Sequence, residues 1–168
     1  MDFRPSRLRL GEALAGAASA LLAVLLFGVG WYGLAGAAGQ TVSSMGVSAS
    51  ISGWHALPTL RWLILVTIVV GLALTYFQAA RAAPALPASL SVFVTVLAIL
   101  TTLGLIYRVL ISVPGPDSLF EAKAGAYLGL ACSVVLVYAG VRSMREESPR
   151  PDAEGAAAIP TLDVGPQR

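Results

Sequence analysis

Four apolar stretches, Gly11–Leu34, Thr59–Ala80, Leu86–Ile111 and Leu119–Ser143, fill most of this chain. Each is long enough to cross a hydrocarbon core of ~30 Å, which takes ~20 helical residues. The expected fold is therefore all-α: a polytopic membrane protein with four transmembrane helices. Charge supports that class. Only 12% of residues are charged and 57% are hydrophobic, about half the charge of an ordinary soluble domain. The charges gather at the ends of the stretches, so a water-soluble fold would expose more apolar surface than water tolerates.

Orientation follows from the connections. With the N-terminus inside, the inner segments hold Arg4, Arg7, Arg9, Arg81, Arg142, Arg145, Arg150 and Arg168, and the outer side holds only Arg61, Arg108 and Lys123. That bias satisfies the positive-inside rule and predicts both termini cytoplasmic. Arg4, Arg7 and Arg9 before an apolar run, with Ala35-Gly36-Ala37 after it, imitate a secretory signal. The first stretch is longer than a signal core and ends in the interfacial pair Trp31-Tyr32, so it is expected to stay as the first span. Residues 1–145 then form the transmembrane domain. Residues 146–168, with prolines, mixed charges and no helical period, are expected to be a disordered cytoplasmic tail, with Arg142 and Arg145 as anchors at the inner surface.

Local signals mark the helix ends. Pro58 precedes the second stretch as a helix start, and Pro84 and Pro87 bracket a tight inner turn. Val113-Pro114-Gly115-Pro116-Asp117 forms the short outer turn, and Ser118-Leu119-Phe120-Glu121 reads as a capping box opening the fourth helix. The other outer connection, 35–57, is long and carries no formal charge. Its segment Thr41–Ser52 alternates small polar and apolar residues, a pattern that predicts a short extended hairpin on the membrane surface. Trp54-His55 is expected to fold back onto the interface.

Few residues invite chemistry. Cys132 stands alone in the fourth stretch, where it reads as a small packing residue. The central membrane contributes Thr67, Thr75, Thr95, Thr101, Thr102 and Ser133, hydroxyls expected to bond back to their own helices. Glu12 lies in the first turn of the first helix beside Arg9, a position that supports the helix dipole. Gly125, Gly129 and Ser133 recur every four residues and outline a close helix contact. That stripe serves either packing within the bundle or a homodimer seam. The outer rim is richer. His55, Arg61, Arg108, Asp117, Glu121 and Lys123 share it with Trp31, Tyr32, Trp54, Trp62, Tyr107, Phe120 and Tyr127. One reading is an aromatic belt with snorkelling charges. The other is a shallow binding rim of Arg61, Arg108, His55, Trp54 and Asp117 that meets an anionic lipid head or solute. No catalytic residue, cofactor site or metal ligand set emerges, and a lone His55 makes no metal site.

Taken together, Trp31-Tyr32, Ser52-Gly53-Trp54-His55-Ala56, Ala85-Leu86-Pro87, Gly125-Ala126-Tyr127-Leu128-Gly129-Leu130 and Ser143-Met144-Arg145-Glu146-Glu147 resemble a group of uncharacterised four-span membrane proteins of high-GC actinobacteria. The resemblance covers residues 10 to 147. It implies a four-helix fold and no established activity. Its members are expected to carry acidic residues near positions 55 and 61, where this chain has His55 and Arg61. An arginine-dominated basic set amid abundant Ala and Gly also fits GC-rich bacterial coding. The expected function is a non-enzymatic accessory or structural component of a membrane or envelope assembly in the bacterial cytoplasmic membrane. Its expected partners are the lipid bilayer and either a second copy or other membrane proteins. A net charge of +2 without a basic stripe argues against nucleic acid. The competing expectation is a small transporter, or a lipid-head or anion binder, working at the outer rim.

Overall fold

A computed structural model describes residues 9–46, 50–80, 89–112 and 120–147. In chain order the elements are α1 (Leu10–Gly28), β1 (Gly30–Leu34), α2 (Gly36–Ser44), β2 (Ser50–Ser52), α3 (Gly53–Ala56), α4 (Leu60–Ala80), α5 (Ser89–Ile106, continued by a π-helical turn at Tyr107–Ile111), β3 (Phe120–Ala122) and α6 (Ala124–Glu147). Four helical segments, Leu10–Gly28, Leu60–Ala80, Leu90–Ile111 and Ala124–Glu146, are long and apolar enough to span a membrane. Between 33% and 44% of each is buried inside the chain. The rest of their apolar surface needs lipid, because water would reject it. The protein is an all-α, four-span membrane bundle.

The helices form a ring in which α1 packs on α4 and α6, and α5 packs on α4 and α6. Close approaches set the direction of each pair. Gly11 lies against Ser143 while Gly125 lies against Gly30, so α1 and α6 run antiparallel. Gly16 meets Thr75 and Ser19 meets Gly71, which makes α1 and α4 antiparallel as well. Leu22, Leu26, Ile64, Leu74, Val94, Leu105 and Leu136 fill the centre with no exposed surface. Several hydroxyls in the bundle bond locally, while the buried Ser19 hydroxyl finds no partner among the described residues. Thr67 donates to the Leu63 carbonyl (2.8 Å), Thr95 to Ser91 (2.8 Å), Thr102 to Ala98 (2.7 Å) and Ser133 to Leu130 (2.7 Å). Thr67 and Thr101 also link α4 to α5, their hydroxyl oxygens 2.8 Å apart. Such bonds satisfy side-chain donors that lipid cannot.

At the opposite end from the sheet, Glu12 is buried and accepts the backbone N–H of Arg9 at 3.0 Å. The Arg9 guanidinium donates to the Glu146 carbonyl, and Arg142 pairs with Glu146 at 2.8 Å. Glu12 thus caps the start of α1, its expected structural place. Helix α6 runs on to Glu147, so the first two residues assigned to the tail are helical; residues 148–168 lie outside the described residues.

Three sequence expectations fail at the sheet-bearing end. The first span stops at Gly28, where Val29 turns extended (φ −116°, ψ 142°), and Gly30–Leu34 is a strand. Apolarity alone does not distinguish a buried strand from the end of a helix. The capping box does not form, because Glu121 sits in strand β3 opposite Gly33 and α6 begins three residues later. Nor does the 35–57 connection fold as its own hairpin. Thr41–Ser44 belongs to helix α2, and Ser50–Ser52 pairs with β1 instead. The inner turn around Pro84 and Pro87, the outer turn 113–117 and Ser118 lie outside the described residues.

Candidate functional site at the outer rim

Strand β1 is the centre of a three-stranded antiparallel sheet ordered β2-β1-β3. Tyr32 faces Ile51 on one side and Ala122 on the other, and Gly33 faces Ser50 and Glu121. The connection between α1 and α4 and the one between α5 and α6 therefore both contribute to one cap over the bundle. The ladder between β1 and β2 is irregular: Gly30 pairs with Ser52 and Tyr32 with Ile51, leaving Trp31 as an extra residue. A bulge of that kind re-aims a side chain. Consecutive residues Trp31 and Tyr32 are consequently both buried.

Trp31 works as a plug. Its indole N–H donates to the Leu25 carbonyl at 2.7 Å, capping an orphan acceptor in the last turn of α1. Its ring lies between Gly53 of α3 and Gly129 of α6; a Cβ on Gly53 would fall 2.8 Å from Cδ2. Gly125, one turn earlier, approaches the Gly30 carbonyl so closely that a Cβ would stand 2.5 Å away. The small-residue stripe Gly125, Gly129 and Ser133 is thus used within the chain, the last of these fully buried. A homodimer seam through Gly125 and Gly129 has no room, because β1 already occupies it.

Tyr32 reaches the other way. Its hydroxyl donates to the Arg108 carbonyl at 3.2 Å, inside the π-helical turn closed by the Ser112 N–H on Tyr107 (2.8 Å). Burial pushes the Tyr32 phenol from 10.0 up to about 12, with the nearby Arg108 charge pulling the other way. A phenolate could not donate to a carbonyl, which agrees with that direction.

The rim residues named from sequence do not converge. Arg61 stacks its guanidinium over Trp54 (5.0 Å) and Trp62 (5.5 Å), a cation–π clamp. It also donates to the Trp54 carbonyl at 3.5 Å, and Trp54 packs on Phe27 with ring centres 5.1 Å apart. His55 is exposed, its Nδ1 3.0 Å from the Ser52 hydroxyl. Asp117 lies outside the described residues. Arg108 stands apart from these, at a cleft of about 450 Å³. Leu57, Pro58, Thr59, Leu60 and Leu63 make one wall, and Gly104, Tyr107 and Arg108 the other. Gly104 lets Leu60 pack directly on α5 beside the cleft; a Cβ there would sit 2.5 Å from Leu60 Cδ1.

Sequence reasoning missed Gly53, Gly104 and the π turn. Nothing in the local pattern of α5 separates a π turn from an ordinary last turn. Among the described residues no three His, Cys, Asp or Glu side chains gather as a metal site. The chain matches no family model, no curated protein and no solved structure.

Proposed function

We propose that this four-span protein is a non-enzymatic accessory or structural component of the bacterial cytoplasmic membrane, with both termini inside. It associates with itself or with a larger membrane or envelope assembly. The observation that carries the reading is the pairing of a filled bundle with a rigid outer cap. The centre is occupied by large apolar side chains, and Thr67, Thr95, Thr102 and Ser133 bond to carbonyls of their own helices. The cap is built jointly by β1, β2 and β3 around Trp31, which gives the outer end a fixed shape for protein contact. The excess of arginine on the opposite side, and the resemblance to four-span proteins of high-GC actinobacteria, support the membrane and the orientation.

Native mass spectrometry of the full chain, gently extracted from its host membrane, tests the association. A defined homo-oligomer or a second retained protein supports the reading, and a monomer under all gentle conditions sinks it. Orientation has its own assay. A C-terminal green fluorescent protein fusion should fluoresce while an alkaline phosphatase fusion stays inactive; the reverse pattern would place the tail outside.

A further inference from the structure

We propose that the cleft beside Arg108 holds one anionic phospholipid, its phosphate on the Arg108 guanidinium and its first acyl methylenes along Leu60, Leu63 and Gly104. Three observations converge on that occupant. The first is charge. Arg108 offers five N–H donors, and among the described residues its guanidinium makes a long bond of 3.5 Å from Nη1 to the Ser112 carbonyl. Among the described residues no carboxylate pairs with it. Guanidinium donors that no described residue takes up, at the end of a membrane span, are matched by phosphate oxygens.

The second observation is shape. A volume of about 450 Å³ falls in the ~300–1,000 Å³ range of small-molecule clefts. Gly104 lies one helical turn before Arg108 in α5, about 6 Å along the axis at ~1.5 Å per residue, and both line the cleft. Leu57, Pro58, Leu60 and Leu63 make the facing wall largely apolar. A free inorganic anion would leave that apolar length uncovered, whereas a lipid covers both parts. Leu103, Tyr107, Leu110 and Ile111 on the neighbouring surface of α5 are exposed, so the cleft opens toward lipid.

The third is backbone construction. The π-helical turn displaces Arg108 from regular helical register, and such turns recur at functional sites. Tyr32 holds the displaced carbonyl from the sheet side, leaving the guanidinium at the cleft. This site does not depend on the accessory reading, since a monomer could fill it equally well.

The test uses the full chain in micelles supplied with equimolar dioleoyl-phosphatidylglycerol and dioleoyl-phosphatidylcholine, with retained lipid read by native mass spectrometry. Wild type should keep one phosphatidylglycerol in preference to phosphatidylcholine. Arg108→Gln should lower that retention about fivefold, the worth of ~1 kcal/mol for one interfacial arginine. Thr59→Trp, at an exposed position on the cleft wall, should fill the space and lower it comparably. It decides the matter if Arg108→Gln fails to fold. Arg61→Gln should change nothing. Unchanged retention in both cleft variants overturns the proposal, as does an equal loss with Arg61→Gln, which would mean diffuse rim charge. Equal retention of the two lipids also overturns it. So does displacement of phosphatidylglycerol by millimolar inorganic phosphate, which would assign the cleft to a free anion.

Discussion

Replacing Gly129 by alanine tests the plug at the centre of the cap. The new methyl would point at the six-membered ring of Trp31, closest to Cη2, with Cζ2 at 2.6 Å and Cζ3 at 3.3 Å. Carbon atoms in good contact stand ~3.5–4.0 Å apart, so the ring must retreat by about 1 Å. It has nowhere to go. The Gly53 backbone also lies close to the indole, where a Cβ would fall 2.8 Å from Cδ2, and the 2.7 Å bond from the indole N–H to the Leu25 carbonyl resists sliding. Overpacking of this kind costs about 1–3 kcal/mol, and straining that buried bond adds about 1 kcal/mol. Alanine returns about 1 kcal/mol of helix propensity over glycine, which leaves a net loss of about 2 kcal/mol. The assay is SDS-titrated unfolding in bicelles, followed by tryptophan fluorescence and circular dichroism. Trp31→Phe deletes the benzo ring that the methyl would strike. The double variant should therefore be more stable than the sum of the two single losses predicts, by about 1 kcal/mol or more. Gly28→Ala is the control, since nothing lies within 4 Å of its added Cβ; it should be neutral or mildly stabilising. A Gly129→Ala variant as stable as wild type, or strict additivity in the cycle, would refute the plug.

The remaining expectations are briefer. Tyr32 has a folded pKa raised to about 12 from 10.0, so its contribution is complete below pH ~10 and fades as pH climbs toward 12. Melting curves from pH 9 to 12 should show an alkaline loss in wild type that is smaller in Tyr32→Phe; identical slopes would contradict the burial argument. Thr67→Val removes the hydroxyl bridge to Thr101 and should cost about 0.6 kcal/mol, the typical worth of an interhelical bond in lipid. A loss above 2 kcal/mol would imply a larger polar network. Arg61→Ala dismantles the stack on Trp54 and Trp62 and should cost about 1 kcal/mol, seen also as altered tryptophan emission. An unchanged spectrum would mean that the stack is not populated.

Sequence alone determined the membrane class and the number of spans. Those properties come from local averages: twenty apolar residues cannot sit in water, whatever their neighbours do. It also located Glu12 as a helix-start residue and the Gly125/Gly129 stripe as a contact, because both follow helical spacing. What covers that stripe was not legible. Trp31 reaches Gly129 only after the chain leaves α1, adds one bulged residue and turns back, a path set by pairing with β2 and β3 far along the chain. The same non-local pairing explains why Phe120–Ala122 is strand rather than the first turn of a helix. In isolation that segment has a plausible cap at Ser118 and Glu121, but β1 offers it a row of backbone partners that no local pattern announces. The rim residues divide for a similar reason. Arg61 and Arg108 are expected at a similar depth from sequence, yet aromatic stacking claims the first while the second stands on a π turn beside a cleft. Spacing fixes which residues reach the membrane surface; packing against elements distant in sequence decides which of them remain free to bind.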